Sequence, residues 1–142
     1  MKVLFVCTGN TCRSPMAEPL LNLVAKENEV YVDVKSAGIF ALDGDRASKG
    51  AKLAVRDRAD LSKHRARTLD YDLMQWADLV FVMTQSQINR IIAEYDEFQE
   101  KVYLLHQFAS DIDKDVEDHF GGSVDLYKMV RDEIEEAVNK IV

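Results

Sequence analysis

The four residues Val3-Leu4-Phe5-Val6 are wholly apolar and end abruptly at Cys7. A strand with one wet face alternates apolar and polar residues; an unbroken apolar run of this length fits a strand buried on both faces. The chain must then supply cover for two sides of a sheet, which points to helices on both. A loop follows, holding Gly9 and Asn10, residue types that tolerate positive φ. Ser14 reads as a helix N-cap with Pro15 at the first helical position, so the loop ends at the positive end of a helix dipole. Strand, tight loop and helix start turn successive backbone N–H groups toward one point, which makes an anion site.

Into that concavity the sequence places one thiol, Cys7, and one guanidinium, Arg13. Unpaired N–H groups, a helix N-terminus and an arginine are the surroundings that activate a thiol as a nucleophile, and the sequence sets Cys7 among them. The planar fork of Arg13 can grip two oxygens of a phosphoryl group while sulfur attacks phosphorus in line. Cys7 and Arg13 are therefore catalytic candidates, and Thr8, Gly9, Asn10, Thr11, Cys12 and Ser14 are candidates for binding the phosphoryl group. Within this set Asn10 is expected to hold the loop's shape and Ser14 to hydrogen-bond the thiolate. The bland alternative is a buried cysteine ending a strand beside an unrelated surface arginine.

Cys7-Thr8-Gly9-Asn10-Thr11-Cys12-Arg13-Ser14-Pro15 resembles, residue by residue, the phosphate-binding loop of the low-molecular-weight protein tyrosine phosphatase family. It is most similar to the protein arginine phosphatase branch, because Thr11 stands where tyrosine-selective members carry a bulky aliphatic residue. Ser36-Ala37-Gly38, Ala77-Asp78-Leu79-Val80, Met83-Thr84 and Phe120-Gly121-Gly122-Ser123 with Tyr127 also look like family landmarks, so the resemblance covers almost the whole chain. It implies a phosphatase with a phosphocysteine intermediate, phosphorylated protein substrates, and no metal or other cofactor.

Such chemistry needs a proton donor for the leaving group and later a base for water. Asp118-His119-Phe120-Gly121-Gly122 resembles the family's Asp-Pro-aromatic-Gly-Gly loop, whose aspartate is the general acid, so Asp118 is the third catalytic candidate. His119 replaces the proline, removing a fixed φ, and is itself an alternative donor. A solvated acidic loop with no proton role is the plain alternative. Phe40 and Phe120 lie in loops on the Cys7 side and could sandwich a planar substrate group, although core packing is an equal reading of Phe40. Cys12 is either a small hydrophobe or a second thiol able to trap an oxidised Cys7 as a disulfide. Trp76 and Phe81 read as core, His64 and His106 as surface or satisfied histidines.

The remaining elements follow in order: a helix from Pro15 to about Lys26 with Pro19 in its first turns, a strand from Val30 to Ala37 ended by Gly38, and a helix from Ala47 to about Arg58. Asp70 caps a short helix through Trp76, Asp78–Met83 is a second strand, wholly apolar after Asp78, and Thr84 or Ser86 starts a helix to about Tyr95. Val102–Leu105 is a short strand and Ser123 caps a last helix to Val142. At 142 residues this is one α/β domain, 1–142, a doubly wound four-stranded parallel sheet with helices on both faces and ligands at the strands' carboxyl ends.

Other classes are disfavoured. A net charge of −7 argues against nucleic acid and favours approach of a cationic group. No stretch nears the roughly 20 apolar residues of a membrane span, and Met1-Lys2 leads directly into a strand, so a cytoplasmic protein is expected. Two cysteines both in one loop suit a reducing compartment. Four-ligand zinc fails on ligand count. Asp111, Asp113 and Asp115 copy the first positions of a calcium loop, but Val116 and Gly122 occupy its glycine and glutamate positions. Arsenate reduction on this fold needs further downstream cysteines, and a binding module without turnover would leave Cys7, Arg13, Ser14 and Asp118 unexplained. The expected activity is hydrolysis of protein phosphoarginine, with phosphotyrosine as the alternative. No feature of the sequence bears on oligomeric state.

Overall fold

The structure is a computed structural model that describes residues 1–119 and 121–142. Four parallel strands, β1 (Lys2–Cys7), β2 (Asp33–Gly38), β3 (Leu79–Val82) and β4 (Val102–Leu104), lie in the order β2-β1-β3-β4. The apolar run at the start of the chain is a central strand, with Phe5 opposite Ser36 on one side and Phe81 on the other. Among the described residues the α-helices are α1 (Arg13–Glu27), α2 (Lys49–Ala54), α3 (Tyr71–Trp76), α4 (Gln85–Glu94), α5 (Leu105–Ser110) and α6 (Val124–Ile141); they lie on both faces of the sheet, α2 packing on α6 and α1.

Successive side chains of β1 point to opposite faces. Val3, Phe5 and Cys7 join a core with Met16, Leu20 and Leu21 of α1, Leu105 of α5 and Ile134 of α6. Leu4 and Val6 join a second core with Leu73 and Met74 of α3 and Ile88 and Ile91 of α4. Full burial of each such side chain stabilises by about 1.5–3 kcal/mol, so a polar residue anywhere in β1 would disrupt one layer or the other. The chain leaves β1 for β2 at one edge and returns to β3 on β1's other side. That switch of direction opens a crevice at the carboxyl end of β1, where the Cys7 loop begins.

Several element limits differ from expectation for identifiable reasons. Helix α1 starts at Arg13, with Cys12 in the cap position and no side-chain cap; Ser14 lies inside the helix, its hydroxyl turned to Cys7. Pro15 is then the third helical residue, still among the orphan N–H positions, but Pro19 falls beyond the first turn and the helix runs through it. β2 begins at Asp33 because its partner strand begins at Lys2; Val30 instead donates its N–H to Ala25 and Tyr31 is exposed. Helix α2 stops at Ala54 and the chain runs to Arg58 as turns. A 3₁₀ segment, Asp96–Lys101, and helix α5 stand where no element is expected. The caps at Asp70, Thr84 and Ser123 are as read, Thr84 in a reciprocal capping box with Gln87.

Candidate active site

Cys7 ends β1 and Arg13 opens α1, so the intervening five residues must turn sharply over the end of the sheet. The left-handed residue in that turn is Asn10, at φ 55°, and not Gly9. Gly38 lets the loop approach β2: a Cβ there would lie 2.6 Å from the Thr8 carbonyl oxygen and 2.9 Å from the Asn10 nitrogen. Ile39 and Phe40 donate their N–H groups to the Cys7 and Thr8 carbonyls at 3.0 and 2.9 Å, and Ser48 donates to Thr11 at 2.8 Å. These bonds satisfy loop carbonyls from outside.

Behind the loop a buried polar chain holds Asn10 in place. Asn10 Nδ2 donates to Ser14 Oγ at 2.8 Å and to Ser36 Oγ at 3.0 Å, and its Oδ1 accepts from the Arg67 N–H at 3.0 Å. Ser36 Oγ in turn donates to Glu18 Oε2 at 3.2 Å, and the His64 ring meets the Asn10 carbonyl at 2.8 Å. Ser14 Oγ lies 2.9 Å from Cys7 Sγ. On the other flank, Gln87 reaches from α4 to the Thr8 hydroxyl at 2.8 Å. Burial pushes the Glu18 carboxyl up, against the Ser36 hydrogen bond and the charges of His64 and Arg67.

The loop forms one wall of a cleft of about 520 Å³, lined further by Phe40, Leu42, Asp45, Arg46, Ser48 and Asp118. Arg13 is buried; its Nη1 donates to the Val116 carbonyl at 2.9 Å and its Nη2 lies 3.6 Å from Asp118 Oδ2. Its Nε is a buried N–H with no acceptor among the described residues. An anion resting on the loop would supply one. Asp118 Oδ1 also lies 3.8 Å from Cys12 Sγ. Burial, then the charges at Cys7 and Asp118, push the Cys12 thiol up to about 12, so at neutral pH Cys12 carries its proton.

Cys7, Thr8, Gly9, Thr11, Cys12, Arg13, Phe40 and Asp118 thus line one cleft, with Asn10 and Ser14 buried beneath it. Phe40 is 60% exposed, which sets aside the core reading, and Phe120 lies outside the described residues. Phe81 is core, whereas Trp76 is half-buried under the Lys35 ammonium, 4.3 Å from its ring centre. His64 is a partner of the loop, and His106 pairs with Glu133 on α6 at 3.1 Å.

Glu18, Ser36, Arg67 and Gln87 were not legible as supports of the loop. Only the Thr84-x-x-Gln87 spacing carried a local signal, and that signal concerns the helix start. A second cavity, about 570 Å³, lies on the Glu18, Ser36, His64 and Arg67 side of the network and is lined by neither cysteine. Among the described residues no helix is long and apolar enough to cross a membrane, and no group of His, Cys, Asp and Glu is placed to hold a metal ion.

A thiol at the floor of an anion loop, an arginine beside it and a carboxylate at the rim can together carry out phosphoryl transfer through sulfur. Comparison with known proteins gives the same chemistry. The chain is 40% identical over 142 residues to the protein-arginine-phosphatase of Geobacillus stearothermophilus, covering 99% of this chain and 93% of that one. It is 36% identical over 142 residues to the low molecular weight protein-tyrosine-phosphatase PtpB of Staphylococcus epidermidis, covering 99% and 96%. Its fold superposes with a TM-score of 0.96 on a mutant of the YwlE arginine phosphatase with a phosphorylated active site serine, at 39% identity over 99% of this chain and 93% of that one. The sequence pattern of the family described as low molecular weight phosphotyrosine protein phosphatase matches residues 2–142. The chain belongs to that family and is a cysteine-dependent protein phosphatase.

Proposed function

We propose that this phosphatase hydrolyses phosphoarginine on proteins through a phosphocysteine intermediate. One observation carries the reading: Thr11, Asp45, Asp118 and Phe40 line the same cleft as Cys7. Phosphoarginine bears its phosphoryl group on nitrogen beside a planar, cationic guanidinium. Two carboxylates and an aromatic face suit that group, and threonine leaves room and offers a hydroxyl where a branched aliphatic residue would press on it. The Phe40 ring already stacks with a guanidinium, that of Arg90, whose central carbon lies 4.1 Å from the ring centre. The 40% identical relative named for arginine dephosphorylation supports the same substrate.

In this mechanism Arg13 and the loop N–H groups hold the phosphoryl oxygens while Cys7 sulfur attacks phosphorus. The P–N bond breaks as Asp118 gives its proton to the departing nitrogen. Asp118, now a carboxylate, takes a proton from water; the resulting hydroxide attacks phosphocysteine, the P–S bond breaks, and orthophosphate leaves with the Cys7 thiolate restored. Ser14 supports that thiolate in both states where it is free.

The exposed apolar rim of Phe40 and Leu42 favours a second reading, phosphotyrosine, whose phenyl ring would lie against it. Paired kinetics on phosphoarginine and phosphotyrosine peptides decide between them. The expected result is a preference for phosphoarginine of at least about tenfold in kcat/KM, about 1.4 kcal/mol, and a shift toward phosphotyrosine in Thr11→Ile. An unchanged ratio in the variant would remove Thr11 from selectivity, and a wild-type preference for phosphotyrosine would make that the substrate.

A further inference from the structure

The net charge of −7 conceals a strong separation of charge. The stretch from Arg46 to Arg67 contains eight of the eighteen Lys and Arg residues and only two of the twenty-five Asp and Glu, so it carries +6 while the rest of the chain carries −13. Both acids in the stretch are engaged locally. Asp57 pairs with Arg58 at 3.0 Å, and Asp60 accepts the Ser62 N–H at 2.9 Å. Lys49, Lys52, Arg56 and Lys63, by contrast, form no salt bridge among the described residues.

These charges share a surface. Ala51, Ala54 and Val55 turn inward, leaving Lys49, Lys52 and Arg56 on the outer side of α2 and the turn after it. Lys52 and Arg56 line a shallow cavity of about 290 Å³ together with Leu53, Ala59, Leu61 and Asp60, the last already engaged by the Ser62 N–H. The stretch closes on itself, since Arg46 and Arg65 meet in an antiparallel bridge. It also abuts the catalytic cleft: Arg46 and Ser48 line the cleft, and Ser48, which caps α2, donates its N–H to Thr11 in the phosphate loop.

We propose that this basic ridge is a docking surface for acidic residues flanking the phosphorylated residue of a protein substrate, so that the enzyme selects phosphorylation sites set in acidic sequence. The proposal deepens the proposed function and rests on it only in needing a phosphorylated protein as substrate. A cationic substrate head enters between Asp45 and Asp118, while the acidic neighbours of that residue lie on Lys49, Lys52 and Arg56. A protein segment is favoured over nucleic acid because the ridge continues from the cleft wall and has Leu53, Ala59 and Leu61 beside its basic residues, whereas the rest of the chain carries −13 and would repel a long polyanion.

The test uses phosphopeptides identical but for Asp/Glu or Ala flanks, each made with phosphoarginine and with phosphotyrosine, together with p-nitrophenyl phosphate. Wild type is expected to turn over the acidic-flanked peptide about tenfold faster in kcat/KM than the neutral one, through KM, with the advantage falling as salt is raised. The triple variant Lys49→Glu, Lys52→Glu, Arg56→Glu abolishes that advantage and leaves p-nitrophenyl phosphate turnover unchanged. Should that variant fold poorly, the milder Lys49→Gln, Lys52→Gln pair and the wild-type salt dependence read the same effect. A wrong substrate head alters absolute rates equally for both flanks, whereas a wrong ridge leaves the acidic-to-neutral ratio at one. A ratio of one in wild type, a ratio unmoved by the substitutions, or inhibition by oligouridylate at concentrations where acidic peptides have no effect would each overturn the proposal.

Discussion

Ser14 Oγ sits 2.9 Å from Cys7 Sγ while the same oxygen accepts an N–H from Asn10 at 2.8 Å. Accepting from Asn10 leaves the Ser14 hydroxyl hydrogen free to donate to sulfur, so whenever Cys7 is a thiolate this hydroxyl can stabilise it, as attacking and as leaving group. Ser14→Ala is expected to lower kcat by about tenfold or more, because a hydrogen bond to a charged group is worth about 1.5–3 kcal/mol. Asn10→Ala should cost folding stability as well, since it leaves the Arg67 N–H without its acceptor and removes the donor to both Ser14 and Ser36. Stopped-flow kinetics and urea unfolding on the two variants separate these effects. Equal kcat in Ser14→Ala and wild type would remove the hydroxyl from the mechanism.

Asp118 stands at the rim, its carboxylate 3.6 Å from Arg13, and His119 follows where a proline would fix the backbone. Asp118→Asn keeps the shape and removes the proton, so kcat should fall by about 10²-fold or more, most for leaving groups of high pKa. His119→Ala should cost much less. A leaving-group dependence that steepens in His119→Ala but not in Asp118→Asn would move the acid to His119.

Cys12 holds its proton at neutral pH, its pKa raised to about 12, so alkylation at neutral pH should label Cys7 and spare Cys12. Peroxide oxidises the Cys7 sulfur to a sulfenic acid, with water as the by-product; Cys12 sulfur then attacks it to form the disulfide, the Cys12 proton passing by way of Asp118, 3.8 Å away, to the departing hydroxide, which leaves as water. Mass spectrometry should find the Cys7–Cys12 bond and thiol should restore activity, whereas Cys12→Ser should recover less completely. Equal recovery would reduce Cys12 to a packing residue.

The strand, the loop and the placement of Cys7 and Arg13 were legible because they are local: an unbroken apolar run, a Cys and an Arg at fixed spacing, and a helix start all lie within fifteen residues. Ser14 was assigned its partner correctly but its backbone role wrongly, since N-cap chemistry and a thiolate hydrogen bond call for the same residue type. The supports of the loop were hidden because each comes from a distant element. Ser36 stands out in the sequence only as part of the Ser36-Ala37-Gly38 landmark, and nothing local ties it, Arg67 or Gln87 to the loop until the sheet order brings β2 and α4 beside Asn10 and Thr8. The basic ridge was hidden for a different reason, as a whole-chain charge averages it away.

Glu18 ties stability to pH through the same network. Its carboxyl is raised chiefly by burial, and it accepts from Ser36, whose oxygen accepts from Asn10. At low pH Glu18 is protonated folded and unfolded and contributes no pH dependence. As pH rises past the ordinary carboxylate value the unfolded chain ionises first, so the folded state binds the extra proton and stability falls. The loss stops growing once pH passes the raised folded value. Glu18→Gln keeps an oxygen that can accept from Ser36 but cannot ionise, so it should lack this loss while retaining kcat/KM within about threefold. Urea midpoints of wild type and Glu18→Gln at about pH 4 and pH 8 provide the measurement, with the variant gaining relative to wild type at the higher pH. A relative gain at the lower pH instead would mean that the carboxylate is favoured in the fold, with Ser36, His64 and Arg67 outweighing burial.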